Sequence, residues 1–167
     1  IQELLTLASV EDSESEEKLE IFDLSENIEG VILPFEAAAF DKGVTIEQDI
    51  TPDISFTGNP IDISRMAETL IENAIGHAPS GTAVDVKLHR SPKHIYFTVG
   101  NHGETIDPES QKHLFERFYR VDKARNRKEG HFGLGLAIAK AIVDRHGGNI
   151  AVRSENGYTL FTVTFHI

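Results

Sequence analysis

The sequence has no cysteine and no tryptophan, and only one methionine. Without cysteine there is no disulfide, no thiolate metal site and no thiol nucleophile; the absence accords with a reducing compartment. No apolar run approaches the roughly 20 residues that cross a bilayer. Positive charge is scarce: 16 Lys and Arg stand against 27 Asp and Glu, for a net charge of −11. That balance disfavours non-specific binding to polyanions, so no nucleic-acid partner is expected. What is present is 167 residues, 40% of them hydrophobic and 26% charged. This is the profile of one soluble globular domain with an ordinary core.

The charge is unevenly placed. Residues 1–29 hold ten acidic residues and one Lys, whereas residues 117–128 (RFYRVDKARNRK) hold six basic residues and one Asp. A basic run is ordinarily a solvated loop; its alternative here is an anion-binding flap.

Hydrophobic spacing supplies the elements. Ile1, Leu4, Leu5 and Ala8 recur at helical period, and residues 1–9 read as the end of a longer helix, as if the chain were cut from a larger protein. Residues 10–20, acidic and containing Ser, read as a linker. From Asp23 to Lys42 a helical stripe runs with a capping residue at its start, Pro34 to kink it and Gly43 to end it. Val44–Ile50 alternates as a strand. Ile61–His77 is a second helix, opened by Pro60 and stopped by the 78–81 segment Ala-Pro-Ser-Gly. Strands are expected at 83–89 and 95–99, a loop at 101–103, and a short helix from Asp107 to about Arg117. A helix at 133–145 and strands at 149–154 and 159–167 follow. Mixed helices and hairpin-spaced strands argue for an α+β fold with a mixed sheet covered on one face by helices.

Three features carry chemistry. Asn73 stands on an otherwise apolar helix, where its amide oxygen is a hard ligand of the kind Mg²⁺ accepts beside phosphate oxygens. Asn101-His102-Gly103-Glu104-Thr105-Ile106 follows a strand; an amide there can bond an adenine edge, and Gly103 lets a ring approach the backbone. Gly130-His131-Phe132-Gly133-Leu134-Gly135-Leu136 precedes and opens a helix, whose first N–H groups attract phosphate. It is neither a dinucleotide fingerprint nor a Walker A loop. Each feature alone reads more simply: an exposed Asn, a routine turn, a helix cap. Their order and spacing are more specific than any one of them.

Taken together these residues resemble the catalytic, ATP-binding domain of bacterial sensor histidine kinases. Leu70–Ile75 around Asn73 resembles the N box and Asn101–Ile106 the G1 box. Leu114-Phe115-Glu116-Arg117-Phe118-Tyr119-Arg120 is similar to the F box, and Gly133–Lys140 to the G2 box. His146-Gly147-Gly148-Asn149-Ile150 and Thr159-Leu160-Phe161 match the family's closing segments. The resemblance covers about residues 20–167. Residues 1–9 would be the tail of the dimerisation helix, 10–20 a linker and 21–167 the catalytic domain.

The resemblance implies a two-layer α/β sandwich of the Bergerat type, with adenine near Asn101 and Thr159 and Mg²⁺ held by Asn73 and the phosphates. Residues 120–132 would form the ATP lid. Asn73 and Arg120 would be catalytic. The nucleotide would be bound by Asn73, His77, Asn101, Gly103, Ile106, Tyr119, Arg120, Lys123, His131, Phe132, Gly133, Leu134, Gly135, Leu136 and Thr159. The γ-phosphoryl group would pass to a histidine on a dimerisation domain of the same protein and then to a response regulator. This chain would be a soluble, cytoplasmic monomer cut from a homodimeric membrane sensor. None of its eight histidines has the acceptor's context, an acidic and then a basic residue following.

Departures from the family pattern motivate an alternative, a nucleotide-binding regulatory module with little catalysis. Asn101 stands where the family usually has Asp, which removes charge assistance from the adenine bond. Thr69 and Gly76 stand where Asn and Lys are common, and Tyr158 where Gly is usual. A gyrase- or Hsp90-type ATPase would need a general-base Glu at position 69; Glu68 and Glu72 lie about 100° around the helix from it.

Overall fold

The computed structural model describes residues 2–11, 18–119 and 134–167. Arg120, Lys123, His131, Phe132 and Gly133 lie outside the described residues, as does the expected lid.

Helix α1 (Gln2–Glu11) comes first, running two residues beyond the expected tail, and Leu7 is buried where α1 packs on the last helix. Strand β1 (Glu20–Asp23) begins within the expected linker and pairs antiparallel with β3 (Ser55–Gly58). Sequence reading found neither strand. The stripe over 23–42 divides at Pro34 into α2 (Leu24–Ile32) and α3 (Phe35–Lys42). Asp23 caps α2 by accepting from the Glu26 amide, and Gly43, at φ +77°, ends α3 in the left-handed conformation that favours glycine.

The main sheet has the order β2-β4-β5-β7-β6. Its strands are β2 (Thr45–Ile50), β4 (Ala83–Arg90), β5 (His94–His102), β6 (Asn149–Glu155) and β7 (Tyr158–His166). β2 is parallel to β4 and the other pairings are antiparallel, so the sheet is mixed, as expected. Asn156 and Gly157 join β6 to β7 with φ +51° and +76°, the two left-handed positions of a type I′ hairpin. One correction concerns β5: Asn101 and His102 lie on the strand rather than in a loop, opposite Thr159 and Tyr158.

One sheet face is apolar. Val84, Val86, Leu88, Ile95, Phe97, Val99, Phe161, Val163 and Phe165 are almost wholly buried. Against them pack α4 (Pro60–His77), through Ile63, Met66, Leu70 and Ile71, and α6 (Gly135–Arg145), through Ile138, Ala139, Ile142 and Val143. Each fully buried side chain of this size contributes about 2 kcal/mol, which holds both helices on the sheet. Asn59 caps α4 through its side-chain oxygen, and Pro79 disfavours helical geometry at Ala78, where α4 stops. Helix α5 is shorter than expected. It spans Pro108–Gln111 under an Asp107 cap, and turns replace helix over residues 112–118.

On the opposite sheet face Tyr158 lies across Gly100 and donates to Asp85 Oδ2 at 2.7 Å. A Cβ on Gly100 would sit 2.0 Å from the Tyr158 hydroxyl, so glycine there makes room for the ring. Burial, then the Asp85 hydrogen bond and its charge, push the Tyr158 hydroxyl far above its ordinary range, so it stays protonated and donating. Tyr158→Phe is expected to lower stability by about 1 kcal/mol in urea unfolding and to leave nucleotide affinity unchanged. A loss of affinity would place Tyr158 in the site.

Candidate functional site

Thr69, Asn73 and His77 follow one another at intervals of four along α4, so their side chains lie on one face in successive turns. The two outer members meet different parts of the molecule. A Cβ on Gly135, the first residue of α6, would lie 3.4 Å from Thr69 Cγ2. A Cβ on Gly103 would lie 2.8 Å from the His77 carbonyl oxygen. Asn73 therefore stands one turn from the N-terminus of α6 and one turn from the loop after β5. It is half-buried, and its amide makes no hydrogen bond among the described residues.

The first turn of α6 presents backbone donors that no other described residue accepts from. Leu134, at the cap position, is buried and offers no side-chain acceptor, and the first amide bonded within the helix is that of Ile138. The N–H groups of Gly135, Leu136 and Ala137 thus have no acceptor among the described residues, and the first turn carries no acidic residue.

The sheet side is built around a buried polar pair. Asn101 and Thr159 are directly opposed on β5 and β7, and each is about 5% exposed or less. Asn101 Nδ2 donates to the His102 carbonyl at 2.9 Å, which leaves Oδ1 as its acceptor side. Thr159 Oγ1 is 2.7 Å from Ser154 Oγ, and Ser154 Oγ accepts from the Ile106 amide at 2.9 Å. Gln111 Nε2 donates to both the Ile106 and the Ser154 carbonyl oxygens. Thr105 Oγ1 accepts from the Gly157 amide, and the Gly103 amide donates to the Gly157 carbonyl. The β6–β7 turn thus clamps the Gly103–Ile106 loop. Ser154, Gln111 and Thr105 were missed by sequence reasoning. Ser154 carried a weak signal, a polar residue in register with the buried side of β6.

Lys42, also missed, donates to the Ile75 and Gly76 carbonyl oxygens at 2.6 Å each and so satisfies the C-terminal end of α4 from α3. Among the described residues nothing apart from α4's own nearby backbone lies within 4 Å of the position a Cβ on Gly76 would take. Thr69 Oγ1 donates to the Arg65 carbonyl one turn back, and Glu68 and Glu72 are exposed. Among the described residues no carboxylate therefore occupies the position that would activate water.

Tyr119 is half-buried at the end of the described segment and donates to Ser110 Oγ at 3.1 Å. Its ring faces His113, whose Nδ1 is 2.6 Å from Glu116 and whose Nε2 is 3.4 Å from Glu109. The hydrogen bond to Glu116, then that to Glu109, raise the His113 pKa above the ordinary value. With the folded value raised, these bonds stabilise fully below about pH 6.5 and are lost as pH rises through the folded pKa. In NMR titration His113 should titrate at higher pH in the folded chain than in the unfolded one; equal values would contradict the triad. A groove of 480 Å³ lined by Glu26, Glu29, Gly30, Leu33, Glu36 and Gln48 carries three carboxylates that would repel phosphate.

An amide flanked by the first turn of α6 and by the polar ends of two central strands, β5 and β7, accords with an ATP-binding fold. The chain belongs to the histidine kinase-, DNA gyrase B- and HSP90-like ATPase family, whose model matches residues 58–167. It is 33% identical over 164 residues to the sensor histidine kinase CusS of Escherichia coli K12, a match covering 98% of this chain and 34% of that protein. It is 36% identical over 166 residues to the haem sensor protein HssS of Staphylococcus aureus strain Newman, covering 97% of this chain and 35% of that one. Among solved structures, the mycobacterial sensor histidine kinase MprB superposes with a TM-score of 0.76 at 26% identity, over 88% of this chain and 96% of that one. The chain spans about a third of the length of the curated relatives named here. No described helix is long and apolar enough to cross a membrane.

Proposed function

We propose that this chain is the catalytic module of a two-component sensor kinase, and that ATP lies between α4, the first turn of α6 and the Asn101–Ile106 segment. The observation that carries the reading is Asn73, on one face of α4 with Thr69 and His77, a turn away from both the Gly135 contact and the Gly103 contact. In this reading the Gly135–Ala137 amides would receive phosphate oxygens, and Asn101 and Thr159 the adenine edge. Asn73 fits Mg²⁺ as a single hard oxygen. Among the described residues no group of three or more His, Cys, Asp or Glu could hold a metal, so phosphate oxygens and water would complete the shell. Bound there, Mg²⁺ would neutralise phosphate charge. The residues Arg120, Lys123, His131, Phe132 and Gly133 are proposed to cover the phosphates.

The reaction forms a bond between an acceptor imidazole nitrogen and the γ-phosphorus and breaks the bond to the β,γ-bridging oxygen, releasing ADP. The protein's part is positioning and charge neutralisation. The acceptor histidine lies on a dimerisation domain, and a response regulator takes the phosphoryl group next. Transfer to histidine is favoured over hydrolysis because Thr69 offers a methyl group and a hydroxyl that donates to the Arg65 carbonyl where an ATPase needs a carboxylate. The parent protein is read as a homodimeric membrane sensor and this chain as a monomer with residues 21–167 as the catalytic domain.

Asn101→Ala is expected to weaken ADP about tenfold in calorimetric titration while the folded amide spectrum is kept. Undiminished affinity would remove Asn101 from the adenine site. Phosphorylation of a supplied dimerisation domain by this chain separates the kinase from a purely regulatory module.

A further inference from the structure

We propose that His146 is a positioning residue that fixes the register of α6 against α4, and through it the spacing between the Gly135–Ala137 amides and Asn73. The inference rests on the nucleotide reading above. His146 follows the last residue of α6, and its two ring nitrogens have partners on different helices. Nδ1 is 2.7 Å from the Ile142 carbonyl oxygen, which can only accept, so Nδ1 carries the proton. Nε2 then has a lone pair, and it accepts from the Asn59 backbone N–H at 3.1 Å. Asn59 is the cap of α4, its own side-chain oxygen accepting from the Ile61 and Asp62 amides. One imidazole therefore joins the end of α6 to the start of α4.

The ring is held in place. It lies beside Phe56 and Phe165, with centroids 6.0 and 6.4 Å away. A Cβ on Gly58 would come within 2.8 Å of His146 Cδ2, so glycine leaves the space the ring fills. A second tie lies alongside: Arg145 Nη1 is 3.5 Å from Asp62 Oδ2, with both side chains largely buried. Asp62 also meets Arg65 through its other oxygen.

The two helices run antiparallel, and the tied ends lie as far from the nucleotide as the helices allow. From Asn59 to Thr69 is ten residues, and from Gly135 to Arg145 is also ten, a rise of roughly 15 Å in each. The pair is thus fastened at His146–Asn59 and Arg145–Asp62 and touches again at Gly135–Thr69. Asn73 is one turn further on. Because α-helices are stiff along their axes, a slip at the tie moves the α6 amides relative to Asn73 by a similar amount.

Two variants separate the ring's two bonds. His146→Asn keeps a donor near the Nδ1 position for Ile142 but cannot reach Asn59. His146→Gln places an oxygen near the Nε2 position and restores the acceptor. Nucleotide affinity in the presence of Mg²⁺ is expected to fall fivefold or more in H146N and to stay within about twofold of wild type in H146Q. Equal affinities in the two folded variants would overturn the proposal. Wild-type protein should also show a scalar coupling across the hydrogen bond between the Asn59 amide nitrogen and His146 Nε2. Absence of that coupling would overturn the proposal even if H146N does not fold. Failure of wild-type protein to bind nucleotide in the same titration would overturn the functional reading instead.

Discussion

Replacing Asn73 with alanine is expected to abolish Mg²⁺-dependent nucleotide binding, with a loss of at least about 100-fold in calorimetric titration. Mutating even an outer-shell partner of a metal typically costs about 10–100-fold in metal affinity, and a direct ligand costs at least as much. The argument combines position and chemistry. Asn73 is the one amide on the face of α4 that runs from the α6 contact at Thr69 to the Gly103 contact at His77. No described acidic cluster could replace it as a metal ligand. Its amide has no hydrogen bond to lose among the described residues, and alanine is the better helix former. Stability in urea should therefore hold or rise by up to about 0.5 kcal/mol while binding disappears. Unchanged affinity would show that the amide holds neither metal nor phosphate.

Gly103→Ala should have the next largest effect, and for a different reason. Gly103 has φ +148°, a conformation side chains rarely adopt, and an added Cβ would press to 2.8 Å on the His77 carbonyl, which is backbone and cannot swing aside. Strain of this kind costs about 1–3 kcal/mol. Any retreat of the loop from α4 must strain or break its ties to the β6–β7 turn, the Gly103 amide to the Gly157 carbonyl and the Gly157 amide to Thr105 Oγ1. We expect lower stability in urea and a roughly tenfold weaker nucleotide, since the loop would retreat from α4. Wild-type stability and affinity together would mean that the contact with His77 is dispensable.

The helices were legible because their signals are local. Asp23, Pro34 and Gly43 mark the two ends and the break of the α2–α3 stripe, and Pro60 and Pro79 bracket α4. Strands β1 and β3 were not legible. Each is four residues long, too short for alternation to register, and they are held by pairing with each other and by the edge contact of Phe22 with Phe56. Asn101 and His102 read as turn residues because Asn and Gly favour turns. Pairing with Thr159 and Tyr158 across the sheet overrides that preference. The same limit applies to the site. Asn73, Asn101, Gly103, Gly135 and Thr159 stand out by type and spacing. Gln111 and Lys42 act through partners 43 and 33 residues away, and no local pattern marks them; Ser154 carries only a weak one, while Thr105 and His146 lie within recognised motifs but owe their roles to partners 52 and 87 residues away. Tyr158, a departure from the family's usual glycine, is accommodated by Gly100 and anchored by Asp85.

The central claim is that one adenine nucleotide is held jointly by α4, the start of α6 and the Asn101–Ile106 segment. Amide spectra recorded while ADP and Mg²⁺ are titrated into the ¹⁵N-labelled chain test it most directly. Shifts concentrated at Asn73, Asn101–Ile106, Gly135–Ala137 and Thr159 are the predicted result. Saturable shifts confined to another surface, or none at millimolar nucleotide, would contradict it.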